Sequence, residues 1–277
     1  MKPETLRLGD VHLEGASRAG TESWFRVHPS GVAFDVGRGA LQLAGSRELF
    51  VTHGHLDHVL GVPYVLSQRT LHQMQGTRVF CPAETRGALA DFIAAAARLE
   101  EAEYRFELTG LAPGDTVELG RDLAVEAFRT DHVVPSLGYH LVRRRRRLRA
   151  DFRDLTGPEI AHRRAAGEDL LESVEELALT YCGDTGPGVF ELEPRVFTTR
   201  ALVIECTFLG DDLREKGTRY KHLHVEDLAA HADRFDNQHL VLVHLSRRHR
   251  PSELLAAAEA RMPRLAGRIH VLTGEGQ

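Results

Sequence analysis

Thr52-His53-Gly54-His55-Leu56-Asp57-His58 follows directly on the apolar stretch Leu49-Phe50-Val51, and this run decides how the chain reads. Side chains at i and i+2 converge where a strand ends and the backbone turns, and Gly54 is expected to permit that close approach. Asp57 and His58 are placed to open a helix and to present two more donors to a neighbouring ion. Three imidazoles and a carboxylate suit zinc, with iron or manganese as alternatives. One fixed four-residue pattern of this kind arises by chance roughly 0.003 times in such a chain. A polar loop in a histidine-rich protein is a poor account of it.

Four donors are too few for two ions, so more are expected downstream, each at the end of an apolar strand. His132 follows residues 125–130, Asp184 follows residues 177–183 and His244 follows residues 240–243. A single strand-end histidine is more often a structural hydrogen-bonder. Three such residues in one setting instead complete a dinuclear set of seven: His53, His55, Asp57, His58, His132, Asp184 and His244. His28, His72, His162, His231 and His270 lack the setting and read as surface or packing residues.

The rest of the composition limits the possibilities. The chain has 277 residues, 42% hydrophobic and 27% charged, with a net charge of −5. That describes an ordinary globular protein, in which any nucleic-acid contact needs a local basic surface. No apolar run approaches the length of a membrane span. Met1-Lys2-Pro3-Glu4 leads into an alternating segment without an apolar signal core, so a cytoplasmic location is expected. Cys81, Cys182 and Cys206 form no close pair and read as buried thiols.

Short strands are expected at residues 6–12, 24–27, 32–36, 49–52, 104–108, 116–119, 123–128 and 138–142. In the second half they are expected at 177–182, 201–206, 240–244 and 268–272. Helices are expected at 83–99, 225–235 and 252–262. Helices falling between strands in both halves predict an α+β chain, two sheets sandwiched by helices, as a single domain over 1–277. Arg143, Arg144, Arg145, Arg146, Arg147 and Arg149 open a polar excursion to about residue 173. They read either as a solvated strand and loop or as an RNA-binding surface.

Two residues outside the metal set bear on the reaction. Glu205 closes a buried strand, which is costly unless something pairs with it. His222 is placed to be oriented by such a carboxylate and to give a proton to a leaving oxygen.

The order of the donors resembles the metallo-β-lactamase superfamily, whose fold is an αββα sandwich. That resemblance implies one ion on His53, His55 and His132, a second on Asp57, His58 and His244, and Asp184 bridging both. It also implies that Asp35, in Phe34-Asp35-Val36-Gly37, orients the loop histidines from behind. More narrowly, the chain looks like the short, plant-type form of ribonuclease Z. The segments that carry this are Phe128-Arg129-Thr130-Asp131-His132, Gly138-Tyr139, Glu205-Cys206-Thr207-Phe208 and His222-Leu223-His224. The resemblance implies two divalent ions, zinc first, and precursor tRNA as substrate, cut to leave a 3′-hydroxyl. It further implies Asp57 as a proton acceptor, Glu205 with His222 as a proton relay, and a homodimer. Other phosphodiesterases of small esters or cyclic nucleotides, and lactone or thioester hydrolases, share the metal pattern. This chain departs from the family in its shortened arm, where Thr156-Gly157-Pro158 is the only trace, and in Lys221 where a glycine is usual. Leu223 and His249 also replace the usual serine and tyrosine.

Overall fold

Alternating buried and exposed residues near the N-terminus build an antiparallel meander: β1 (Glu4–Leu8), β2 (Val11–Arg18), β3 (Glu22–His28) and β4 (Val32–Phe34). The computed structural model describes residues 1–274. Parallel strands β5 (Glu48–Phe50), β6 (Thr77–Pro82) and β7 (Phe106–Leu111) complete the first seven-stranded sheet. Parallel neighbours need crossovers, supplied by α1 (Leu56–Val59), α2 (Val62–Leu71) and α3 (Arg86–Leu99).

The second sheet repeats the plan. β8 (Thr116–Glu118), β9 (Leu123–Arg129), β10 (Leu137–Leu148) and β11 (Leu171–Tyr181) pair antiparallel. β12 (Ala201–Glu205), β13 (His239–Val243) and β14 (Ile269–Val271) then add in parallel. α4 (Gly157–Ala165) lies between β10 and β11. α5 (Val189–Leu192), α6 (Arg214–Tyr220), α7 (Val225–Ala229) and α8 (Pro251–Arg261) connect the parallel strands.

One buried cluster joins the two sheets, with Phe25, Phe34 and Phe50 from the first meeting Tyr139, Leu141 and Tyr181 from the second. Two more clusters bury each sheet's other face against helices, around Trp24 and Leu66 and around Phe190 and Leu254. These layers are the expected αββα sandwich. Cys81, Cys182 and Cys206 are buried, free thiols, as expected.

Several boundaries differ from expectation. The stretch 6–12 is not one strand, because Gly9 (φ 68°) turns the chain between β1 and β2. β10 runs to Leu148, not 142, and β11 starts at Leu171, so the arginine run is strand. Arg143 lies opposite Glu176, Arg144 opposite Glu175 and Arg147 opposite Glu172. Cross-strand charge replaces the apolar alternation there. The expected helix 225–235 breaks after Ala229, and the helix expected at 83–99 begins at Arg86.

Candidate metal centre

All the expected donors leave carboxyl ends of strands or the loops just beyond them, where open sheets present ligand sites. His53, His55, Asp57 and His58 follow β5, His132 follows β9, Asp184 follows β11 and His244 follows β13. Three groups bring potential ligand atoms within 4.8 Å of one another: His53, His55, His132 and Asp184; Asp57, His58 and His244; and Asp184, Glu205, His222 and His244. Every expected metal and relay residue falls in one of them.

The floor under the site is made by the second sheet reaching across to the first. Tyr139 donates its hydroxyl to Val51 O at 2.6 Å, and Tyr181 donates to Asp35 Oδ2 at 2.7 Å. Asp35 is fully buried and has a positive φ of 54°. Its carboxylate also accepts Thr52 N at 2.7 Å and His58 Nδ1 at 2.7 Å. These contacts fit the role expected of Asp35, holding the histidine loop from behind. Gly54 does not provide the expected close approach. A Cβ there would lie 3.4 Å from Thr85 Cγ2. The tight approach is at Gly183 (φ 61°), where a Cβ would come within 2.8 Å of the Thr52 side chain.

Each imidazole but one is held at Nδ1. Thr52 Oγ1 donates to Asp35 and accepts His53 Nδ1 at 2.9 Å. Thr207 Oγ1 donates to Glu205 Oε2 at 2.6 Å and accepts His244 Nδ1 at 3.0 Å. His132 Nδ1 donates to Lys221 O at 3.3 Å. Two carboxylate–threonine–histidine chains, one from each sheet, thus fix the same tautomer with Nε2 free. The two threonines were not singled out in the sequence. Their only signal is adjacency, Thr52 before His53 and Thr207 two residues after Glu205.

Nε2 of His53, His58 and His244 and Oδ1 of Asp184 are buried without a hydrogen-bond partner. Bare buried polar atoms cost about 1–3 kcal/mol each, so a native fold gives them a partner. His58 Nε2 and His244 Nε2 each stand 3.3 Å from an Asp184 oxygen. His132 Nε2 stands 3.3 Å from His55 Nδ1. Two nitrogens bound at about 2.0–2.1 Å to one tetrahedral ion sit about 3.3–3.4 Å apart, so the donor set fits divalent cations.

Electrostatics agree with that use. Burial pushes His53, His55 and His132 below the ordinary histidine range, which leaves neutral imidazoles with free lone pairs. Burial opposes ionisation of Asp57, but His244 and His58 outweigh it and hold the carboxyl at about 2. His58 runs the other way, raised despite its burial by Asp184 and Asp35, so an ion binding at its Nε2 must displace a proton.

Glu205 is fully buried and accepts four hydrogen bonds: His222 Nδ1 (2.7 Å), Thr185 N (2.8 Å), Thr207 Oγ1 (2.6 Å) and Leu223 N (3.1 Å). That answers the cost of closing a strand with a carboxylate. Burial lowers the His222 pKa, but Glu205 outweighs it and lifts the ring to about 9. His222 lines a cleft of about 440 Å³ together with Asp57, Asp184, His244, Lys216 and Arg248. Neither cation was expected from the sequence, since both sit among ordinary surface charges.

The arginine run lies elsewhere. Arg144 pairs with Glu118 and Glu175, Arg145 with Asp10 and Glu176, Arg143 with Asp10, Arg146 with Asp169 and Arg149 with Asp151. Arg147 has no ion pair among the described residues. Ten residues of extended strand separate Leu137 at the site from Arg147, roughly 33 Å at the usual rise.

Known proteins carry the same pattern. The model of the β-lactamase superfamily domain matches residues 40–245. The tRNase Z named TRZ1 from Arabidopsis thaliana is 30% identical over 275 residues, covering 98% of both chains. The chloroplastic tRNase Z TRZ2 of the same plant is 27% identical over 97% of this chain and 77% of its own. Among solved structures, the short form of human tRNase Z superposes with a TM-score of 0.61 at 21% identity, covering 98% of this chain and 96% of that one. The chain belongs to the metallo-β-lactamase superfamily and, within it, to the ribonuclease Z family.

Proposed function

We infer that the protein is a zinc-dependent phosphodiesterase that cuts precursor tRNA on the 3′ side of the mature sequence. In this reading His53, His55 and His132 would hold one ion, and Asp57, His58 and His244 the second, with Asp184 within reach of both sets. Divalent ions held there supply Lewis acidity toward a phosphoryl oxygen and toward the attacking water.

The protein's own groups manage the protons. Asp57, kept ionised by His244 and His58, accepts a proton from the attacking water as the bond from oxygen to phosphorus forms. Gly20 N holds the carboxylate in place at 2.9 Å. His222 enters protonated, with Nδ1 anchored on Glu205, and gives a proton from Nε2 to the leaving 3′-oxygen as the second bond breaks. The products are a 3′-hydroxyl on the tRNA and a 5′-phosphate on the trailer. Lys216 and Arg248 at the rim attract the phosphates on either side.

The observation that carries this reading is the Glu205–His222 hydrogen bond set beside the metal donors. A proton donor of that kind serves an alkoxide leaving group, and a thioester hydrolase, which expels a thiolate, has little use for it. Zinc suits a set of imidazoles and carboxylates, with iron or manganese as alternatives. A homodimer and a cytoplasmic place of work belong to the same reading. No helix among the described residues is long and apolar enough to cross a membrane.

The test is to incubate the metal-loaded protein with precursor tRNA and map the cut to the nucleotide. Cleavage at the trailer junction leaving a 3′-hydroxyl supports the reading. A second reading, a phosphodiesterase of small esters, draws on the paired state of the arginines. Hydrolysis of bis(p-nitrophenyl) phosphate without any cut in tRNA supports it instead.

A further inference from the structure

Lys221 is a non-glycine residue with left-handed backbone angles, φ 53° and ψ 55°, at the end of α6. L-residues with a Cβ rarely take that conformation, and a lysine gains nothing from it locally. Two contacts hold it there. Its ammonium donates to Asp131 Oδ1 at 2.8 Å, and its carbonyl accepts His132 Nδ1 at 3.3 Å. The next residue is His222, whose ring lies 5.3 Å from that of His132.

Asp131 is the other half of the arrangement. Its carbonyl accepts Gly186 N at 2.6 Å, its amide donates to Thr185 Oγ1 at 3.0 Å, and Oδ2 accepts Gly188 N at 3.2 Å. A Cβ on Gly186 or Gly188 would stand 2.9 or 2.6 Å from that same Oδ2, so both glycines make room for the carboxylate. Asp131 therefore grips the loop that follows Asp184, precedes His132 in sequence and meets Lys221 through space. Three separate segments, carrying Asp184, His132 and His222, are knit at one carboxylate.

We propose that the Lys221–Asp131 ion pair is a strap that fixes the His222 loop against the metal donors. Lys221 is a positioning residue: its backbone carbonyl sets the tautomer of His132, and its side chain holds the bend that aims His222. The pair is partly exposed, with 45% of the lysine and 24% of the aspartate side chain accessible. Its worth is in placement, since a pair so exposed adds little stability. This inference rests on the reading of His132 as a ligand and His222 as the proton donor.

Four variants test it: Lys221→Met, Lys221→Gly, Lys221→Arg and Asp131→Asn. At saturating metal, Lys221→Met and Asp131→Asn should lower kcat on precursor tRNA about threefold to tenfold with KM unchanged, and Lys221→Arg should restore most of it. Lys221→Gly relieves the backbone, so Tm should hold or rise while kcat still falls, which a merely structural role would not give. In a His222→Ala background at saturating metal, Lys221→Met should lower kcat no further, because its remaining effect, through His132, falls on metal affinity. Titration of the metal-free protein with Co²⁺ alone should show affinity lowered about threefold to tenfold in Lys221→Met and Asp131→Asn, somewhat less than when a ligand's direct partner is removed. A raised KM at constant kcat, or an additive loss on His222→Ala, overturns the strap. If the wild-type protein leaves precursor tRNA uncut, the functional reading fails by itself. The Co²⁺ titration then decides, and unchanged affinity in both variants overturns the strap.

Discussion

Glu205 holds His222 and, through Thr207, His244: one oxygen accepts His222 Nδ1 at 2.7 Å, and the other accepts Thr207 Oγ1 at 2.6 Å. A single buried carboxylate therefore orients both the proposed proton donor and a metal donor. The arrangement mirrors Asp35, Thr52 and His53 across the site. Sheet two supplies one chain and sheet one the other, so the two halves of the fold contribute equivalent parts.

Replacing His222 by alanine should separate chemistry from metal binding. Loss of a general acid typically costs about 10²–10⁴-fold when the leaving group is an alkoxide. Cleavage of precursor tRNA by His222→Ala should fall within that range. Hydrolysis of bis(p-nitrophenyl) phosphate should change by less than about threefold, since its leaving group departs without a proton. Metal content, read by elemental analysis, should stay near wild type. Loss of the metal, or equal losses on both substrates, would remove His222 from the relay.

The relay also sets a pH signature. His222 titrates near 9 against an ordinary 6.5, because Glu205 outweighs the burial that opposes it. The donor works protonated, so kcat on tRNA should fall as pH rises through about 9. Glu205→Gln removes the anion, and the descending limb should move down toward the ordinary value. The same shift links to stability. The folded state binds this proton more tightly, so its contribution is complete below 6.5 and is lost as pH climbs through 9. An alkaline limb unmoved in Glu205→Gln would show that another group sets it.

The contiguous histidine motif and the strand-end donors were readable because each sits beside an apolar strand whose end is marked by composition. The carboxylate–threonine chains were not, since threonine is common in strands and gives no periodic signal. The fold was readable where a short apolar run is bounded by polar or turn residues, as in β9 (Leu123–Arg129) and β12 (Ala201–Glu205), and obscure where charge pairs across strands. That is why β10 was expected to stop before the arginines that Glu175 and Glu176 in fact match. β6 (Thr77–Pro82) was missed because its buried run is short and closes on Pro82, a residue that argues against a central strand. Lys221 and Asp131 are 90 residues apart, and nothing local marks them as partners.

Asp35→Asn is a one-atom test of the support behind the loop. Asp35 now accepts the proton on His58 Nδ1, which leaves Nε2 free. An asparagine that keeps its oxygen on Thr52 N turns its amide nitrogen toward His58, forcing that proton to Nε2 where a metal must bind. Metal affinity, followed by isothermal titration, should drop about 10–100-fold, the usual cost of removing such a partner. Asp184→Ala should go further and abolish loading and cleavage together, because Asp184 groups with His53, His55 and His132 and its oxygens also stand 3.3 Å from His58 Nε2 and His244 Nε2. An Asp184→Ala protein that loads two ions normally would refute the shared role.

The arginines of β10 can be sorted by their partners. Arg144 is bracketed by Glu118 and Glu175, and Arg143 and Arg145 share Asp10, so their charge is largely spent within the protein. An RNA phosphate would have to displace a carboxylate to reach them, and the gain on binding is correspondingly small. Arg147 lies opposite Glu172 but forms no ion pair among the described residues, and it stands exposed on the far part of the hairpin. Each cation that neutralises a phosphate adds about one unit to the slope of log affinity against log salt. Arg147→Ala should therefore lower the tRNA salt slope by up to about one unit, and Arg144→Ala should leave it nearly unchanged. Fluorescence anisotropy with labelled tRNA across a salt series reads both. Equal effects of the two substitutions would mean that the ion-pair ladder opens on the RNA, and no effect of either would take the hairpin out of the interface.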